Sequence, residues 1–488
     1  MPESTLSWVL FIAYCVAIAA FSWVKRRQAS SLSGFAVGAR QVSPVLVGLS
    51  LAANMTSVAT FVINPGLVHA YGVAGVIGYG LAAPAGIFIG LVVTSKRFRR
   101  VGDRFTVLTV PQWIGSAYGD DRLTIAFAVI SLLQVSFLVL IVAAIVVVLM
   151  KVLGLSMIAG LVLVVAFTFT YIALGGASLH IWSNALQAMT MTAVAVLLVG
   201  SGAALFSGGL GGFLERLTAV GPHFAAATNP DSLLFRDLFE VVVANFVIGL
   251  AIIMQPHIIS KSLYLRSERD VNRYLVTAMI AGTLFTSVLV VGLYARLTLG
   301  GDVAPDHVVA SYIATAFSPA LRAVVMLGVL AAGFSTLEGI ILALASITAN
   351  DFFGTLARRA GAAGAVLERR LLRTGRWFLV ALAPVTFLLA WWQIARPSLS
   401  VAIFAQNGIY GLFAATFAPV LFGLFLRRPL PASVAGAAAA IALFVHFGMY
   451  YGKITMYHTN PAVPATCALV ASTALMAVAL LVRRLRQA

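Results

Sequence analysis

Runs of about 20 mainly apolar residues recur thirteen times along this chain, and that recurrence limits the fold more than any single motif. The runs are Trp8–Val24, Pro44–Tyr71, Ala74–Thr94, Thr124–Met150, Ser156–Leu174, Ser183–Leu205, Leu238–Ser260, Val271–Ala295, Pro319–Ala349, Phe378–Gln393, Ser400–Leu426, Pro431–Tyr450 and Ala462–Val482. With 61% hydrophobic residues, 10% charged ones and a mean hydropathy of +1.01, the chain is an all-α polytopic membrane protein. In hydrocarbon every backbone polar group needs an internal partner, and helices supply one. A formal charge of +17 would suit nucleic acid. The basic residues, however, sit in short clusters between apolar runs without base-stacking aromatics, so nucleic-acid binding is excluded. Cys15 and Cys467 fall in the first and last runs and carry no disulfide signal. The first run lacks a basic leader and ends in Lys25-Arg26-Arg27, which predicts an uncleaved helix.

Orientation follows from the basic residues, which are enriched on the cytoplasmic side. Placing the N-terminus outside and the C-terminus in the cytoplasm of an inner (cell) membrane puts 25 of the 32 basic residues in inner loops. That count includes Lys261 and its neighbours to Arg273. The stretch Gly354–Arg376 reads as a loop or an interfacial helix.

One apolar run is unlike the others. Gly48–Gly66 reads GLSLAANMTSVATFVINPG, with Asn54, Thr56, Ser57 and Thr60 in its middle and Asn64-Pro65-Gly66 after them. Small residues and weak helix formers predict a helix that unwinds at mid-membrane, freeing carbonyls for a cation and N–H groups for a solute. A packed helix whose hydroxyls bond back to its own carbonyls has the same composition. The seventh run is also interrupted, by Asn245, Gly249 and Gln255-Pro256-His257. It lies five spans further on, a spacing that reverses direction and so suggests an inverted repeat.

The second polar signal is Leu330–Asp351. Ser335 and Thr336 stand side by side in an apolar helix, with the Ala332 carbonyl one turn before Thr336, so three oxygens project near one point. Glu338 is a carboxylate in mid-span, at an insertion cost of roughly 2.5–3.5 kcal/mol, which makes a functional role the default. No Lys or Arg is read at comparable depth. Leu174-Gly175-Gly176, His180, Trp182-Ser183-Asn184 and Gln187 form a third cluster, consistent with interface anchoring as well as with a site. Gly86 and Gly90 form a single GxxxG, read as packing. Phosphate-binding loops, HExxH pairs and GxSxG elbows are absent, so no enzymatic activity is expected.

These residues resemble the sodium/solute symporter family, which includes sodium/proline, sodium/sugar and sodium/sialic acid carriers. The likeness rests on LSLAANMTS…NPG, RFTVLTVPQWI at Arg104–Ile114, GG…WSNALQ, QPHII at Gln255–Ile259 and AAGFSTLE…SITANDFF. It implies a LeuT-type fold in one transmembrane domain: a leading helix (8–24), two five-helix inverted repeats (44–205 and 238–426) and two C-terminal helices (431–482). Carried over by position, it implies a Na⁺ site made of backbone oxygens of Ala53, Thr56 and Ala332 with the hydroxyls of Ser335 and Thr336. Ser57 and Thr60, with Tyr79 and Gln134, would face the solute.

Two positions depart from the family pattern. An Asp of the proline carriers is replaced by Met55, and an Asp common in relatives by Asn184. Where some relatives hold a second Na⁺, the positions here are Asn184, Ser335, Glu338 and Gly339. The expectation is that the carboxylate has moved to Glu338 and holds a second ion or a proton. The function expected is sodium-coupled import of a small organic solute (amino acid, monocarboxylate or sugar) by alternating access, with Na⁺ and the lipid bilayer as partners and no obligatory protein partner evident. Proton-coupled or uncoupled carriage through Glu338 and a transporter-like sensor are the alternatives.

Overall fold

The computed structural model describes residues 3–25, 31–37, 42–105, 107–396 and 399–487, and these contain helices and no strand. Arg26, Arg27 and Arg40 of the expected inner loops lie outside the described residues. Among the described residues, eleven helices are long and apolar enough to cross a membrane, and counting each of two bent pairs as one span gives thirteen. The bent pairs are Pro44–Met55 with Ala59–Tyr71, at 55°, and Phe239–Ile252 with Pro256–Tyr264, at 60°. These are the second and seventh spans, the two whose polar interruptions predict a break.

Three boundaries shift, each for a local reason. The fifth and sixth spans, Met157–Ala177 and Leu179–Gly200, join at Gly176 without a loop. Its φ of +56° turns the chain sharply in a conformation that favours glycine. The tenth span begins at Gly364 rather than near Phe378, because Leu367, Leu371 and Leu372 bury one face of a helix whose other face carries Arg369, Arg370 and Arg373. The expected loop or interfacial helix is thus a short helix, Gly354–Arg359, followed by the start of this one. The eighth span starts at Glu268, where Ser267 and Asp270 close a capping box.

The ninth span, Pro319–Arg359, forms the centre of the molecule: 89% of its apolar window is buried, against 22% for the first and tenth spans. Helices Met157–Gly200 and Pro44–Met55 pack along it. The third span (Val73–Gly102) meets the seventh at a close backbone contact. A Cβ on Gly86 would lie 2.2 Å from the Phe246 carbonyl, and one on Gly249 would lie 2.2 Å from that of Ala83. The GxxxG is therefore a seam within the chain.

Candidate functional site: two broken helices around a polar helix

The first half of the second span ends at Thr56, whose φ and ψ of −104° and 89° leave the helical region. Ser57 restarts it: its hydroxyl accepts the Ala59 N–H at 3.1 Å and its carbonyl accepts that of Thr60 at 3.0 Å. Backbone oxygens at the end of the first half thereby lose their intrahelical partners. The ninth span lies against this break. The Ser335 hydroxyl is 2.9 Å from the Ala53 carbonyl and 2.8 Å from that of Ala332, and the Thr336 hydroxyl is 3.1 Å from the Asn54 carbonyl. Ala53, Thr56, Ala332, Ser335 and Thr336 are all buried. Three of the five expected sodium ligands are in direct contact. Thr56 lies three residues past Ala53 in the non-helical turn, while Thr336 reaches the neighbouring carbonyl. The donor set is hydroxyls and carbonyls without sulfur or nitrogen, which suits a hard monovalent cation.

Beside the break is a cavity of about 150 Å³. Ser57, Thr60 and Tyr79 line it, as do Asn64, Asn245, Gln255, His257, Gln406 and Tyr410. No Lys, Arg, Asp or Glu is among its lining residues. Gln134 stands one side chain back, its Oε1 3.3 Å from His257 Nδ1. Three buried polar atoms in the cavity wall, Asn64 Oδ1, Gln255 Oε1 and His257 Nε2, have no partner among the described residues. Such groups are costly to leave unsatisfied, and in a binding cavity a solute satisfies them. Gln255 and His257 are there because Pro256, lacking an N–H, restarts the seventh span after an extended Gln255 (φ −59°, ψ 127°). The sequence marks QPH as an interruption of the seventh span but not as part of the cavity; its signal there is the two polar side chains that flank the proline.

Glu338 occupies a separate buried cluster. Its Oε1 accepts from the Tyr171 hydroxyl at 2.6 Å and from Gln187 Nε2 at 2.8 Å. Its Oε2 accepts from the Ser183 hydroxyl and lies 3.4 Å from His180 Nδ1. Asn184 Nδ2 donates instead to the Ser50 carbonyl and to Asn54 Oδ1, both at 3.3 Å. One expectation is corrected here. A basic residue does lie at this depth: Lys261, assigned to an inner loop by sequence, is 1% exposed. Its Nζ is 2.7 Å from the Ser50 hydroxyl and 2.8 Å from His180 Nε2. The break at Gln255-Pro256 carries the chain back into the bundle as Pro256–Tyr264, so a residue counted as loop is packed in the core.

The family model described as "SSF: Sodium:solute symporter family" matches residues 35–456. The chain belongs to that family. The sodium/pantothenate symporter of Escherichia coli (strain K12) is 23% identical to this symporter over 468 residues, covering 93% of this chain and 90% of its own length. The high-affinity proline transporter PutP of Bacillus subtilis (strain 168) is 25% identical over 438 residues, with 85% and 87% covered. A Na⁺-coupled sialic acid symporter, solved in a substrate-bound outward-open state, superposes on this symporter with a TM-score of 0.77 at 15% identity, over 96% of this chain and 97% of that one. The fold is thus the LeuT type expected from the resemblance.

Proposed function

We propose that this symporter imports a small organic solute together with Na⁺, by alternating access around the second, seventh and ninth spans. The observation that carries the reading is the contact of Ser335 with the carbonyls of Ala53 and Ala332. Na⁺ there would be held by those two carbonyls, the hydroxyls of Ser335 and Thr336 and the Thr56 carbonyl. The ion would tie the broken span to the central helix and favour the state open to the outside. Solute would then sit in the adjoining cavity against Ser57, Thr60 and Tyr79, with Gln134 steadying His257. The uncharged lining leaves amino acid, monocarboxylate and sugar as candidate classes. Ser57 and Thr60, at the start of the second half-helix, favour a carboxylate-bearing one.

One Na⁺ is sufficient to drive accumulation. An ion moving down about 100 mV releases roughly 2.3 kcal/mol, and a tenfold concentration gradient adds about 1.4 kcal/mol. A driving force near 3.7 kcal/mol supports accumulation of several hundred-fold. The two five-helix units, 44–205 and 238–426, would be the inverted repeats, an assignment supported by the matching breaks in their leading spans. The basic inner loops support an N-terminus outside and a C-terminus in the cytoplasm of the cell membrane.

A thermal-shift screen of purified protein tests the reading. Amino acids, monocarboxylates and sugars are added in NaCl and in choline chloride. The expected outcome is a solute that raises Tm in NaCl alone. Equal stabilisation in both salts would refute sodium coupling.

A further inference from the structure

The cluster around Glu338 joins side chains of five spans, and its charges already balance. The Lys261 ammonium is buried: its residue is 1% exposed, and its Nζ contacts Ser50 Oγ and His180 Nε2 and lies 5.5 Å from the Tyr264 ring centroid. An ammonium only donates. His180 Nε2 must therefore accept from it, which puts the ring proton on Nδ1, facing Glu338 Oε2 at 3.4 Å. The result is a one-way chain, Lys261 to His180 to Glu338, in which a neutral imidazole couples a buried cation to a buried anion.

The carboxylate's own partners lead to the same conclusion. Tyr171, Gln187, Ser183 and His180 supply four donors, and a carboxylate has about four lone-pair sites. A cation ligand needs free lone pairs, and Glu338 has none to offer. The cluster's remaining acceptors without a partner are the neutral amide oxygens Asn184 Oδ1 and Gln187 Oε1. An added Na⁺ would leave two cations facing one carboxylate at a depth where an uncompensated charge is strongly disfavoured. Without the ammonium, His180 can carry its proton on Nε2 instead of Nδ1, which frees Glu338 Oε2 as a ligand and leaves its charge uncompensated, a demand that one Na⁺ would meet.

We infer that the Lys261 ammonium is a tethered cation that occupies the role of a second sodium ion, so that this symporter binds one Na⁺ per chain. Lys261 thereby sets the ion stoichiometry, without entering the solute cavity. The inference rests on the sodium coupling proposed above, and the experiment separates the two.

Equilibrium dialysis of purified protein against ²²Na⁺ counts bound ions directly, with no solute needed. The wild type is expected to bind one Na⁺. Lys261→Met is expected to bind two, Lys261→Arg one, and Lys261→Met/Glu338→Gln one. Glu338→Gln alone should leave the wild-type count unchanged. Two ions on the wild type, or one on a monodisperse Lys261→Met, would overturn the tethered cation. If Lys261→Met fails to fold, the wild-type and Glu338→Gln counts decide: two falling to one would place Glu338 on a bound sodium ion. A wild type binding no Na⁺ would instead overturn the sodium site at Ser335, and this inference with it.

Discussion

Asn54 is the residue at which the two polar regions meet. Its carbonyl accepts the Thr336 hydroxyl, its Oδ1 accepts from Asn184, and its Nδ2 donates to the His257 carbonyl at 3.0 Å. It therefore ties the second span to the sixth, seventh and ninth, between the proposed sodium site and the Lys261 chain. Of the proposed sodium ligands, Ser335 is the one whose removal is easiest to read. Ser335→Ala deletes a buried hydroxyl in contact with two carbonyls and supplies nothing in return. The expected loss is at least tenfold in Na⁺ affinity, about 1.4 kcal/mol, measured as the NaCl concentration giving half-maximal Tm shift. An unchanged midpoint would remove Ser335 from the site. The identity of these residues was legible in the sequence, because Ser-Thr pairs and Asn stand out in an apolar run. That Glu338 is paired was not legible. Lys261 is 77 residues away in sequence, beyond a helix break whose direction no periodicity reveals.

At the level of elements, irregular backbone is concentrated around the site. Wide i→i+5 turns occur at Ala59–Ile63, Val76–Ala82 and Phe239–Ala244, in the second, third and seventh spans around the cavity, and at Thr348–Phe353 near the C-terminal end of the ninth. Such turns commonly mark functional positions in helices. The third and seventh spans touch backbone to backbone through Gly86 and Gly249, so side chains of the broken span reach the cavity. Gly249→Val would place a branched side chain where even a Cβ meets the Ala83 carbonyl at 2.2 Å. Overpacking of this kind costs typically 1–3 kcal/mol, about the range expected here. The expected readout is a lower Tm in both NaCl and choline chloride, with the Na⁺-dependent increment retained. Loss of that increment alone would mean that the seam belongs to the ion site.

Across the whole molecule, the apolar surface faces outward and the polar groups inward. Trp23, Trp377, Val380 and Phe444 are more than half exposed, while Asn54, Asn184, Gln187 and Glu338 are buried. That inversion is what a hydrocarbon solvent demands. The basic clusters predict the sidedness. In a cysteine-free background, Lys453→Cys should react with a membrane-impermeant maleimide on intact cells, and Arg428→Cys only after permeabilisation. The reverse pattern would invert the topology.

By itself the sequence determined the solvent, the number of spans and the two breaks, because each depends on local composition measured against the hydrocarbon. Tertiary structure alone decided that Gln134 stands behind His257, that Gln255 and His257 belong to the cavity, and that a lysine read as loop is buried against His180, the neighbour of Glu338. Those facts depend on where a broken helix re-enters the bundle, and that direction is set by packing against the third and ninth spans, which no stretch of the seventh encodes alone.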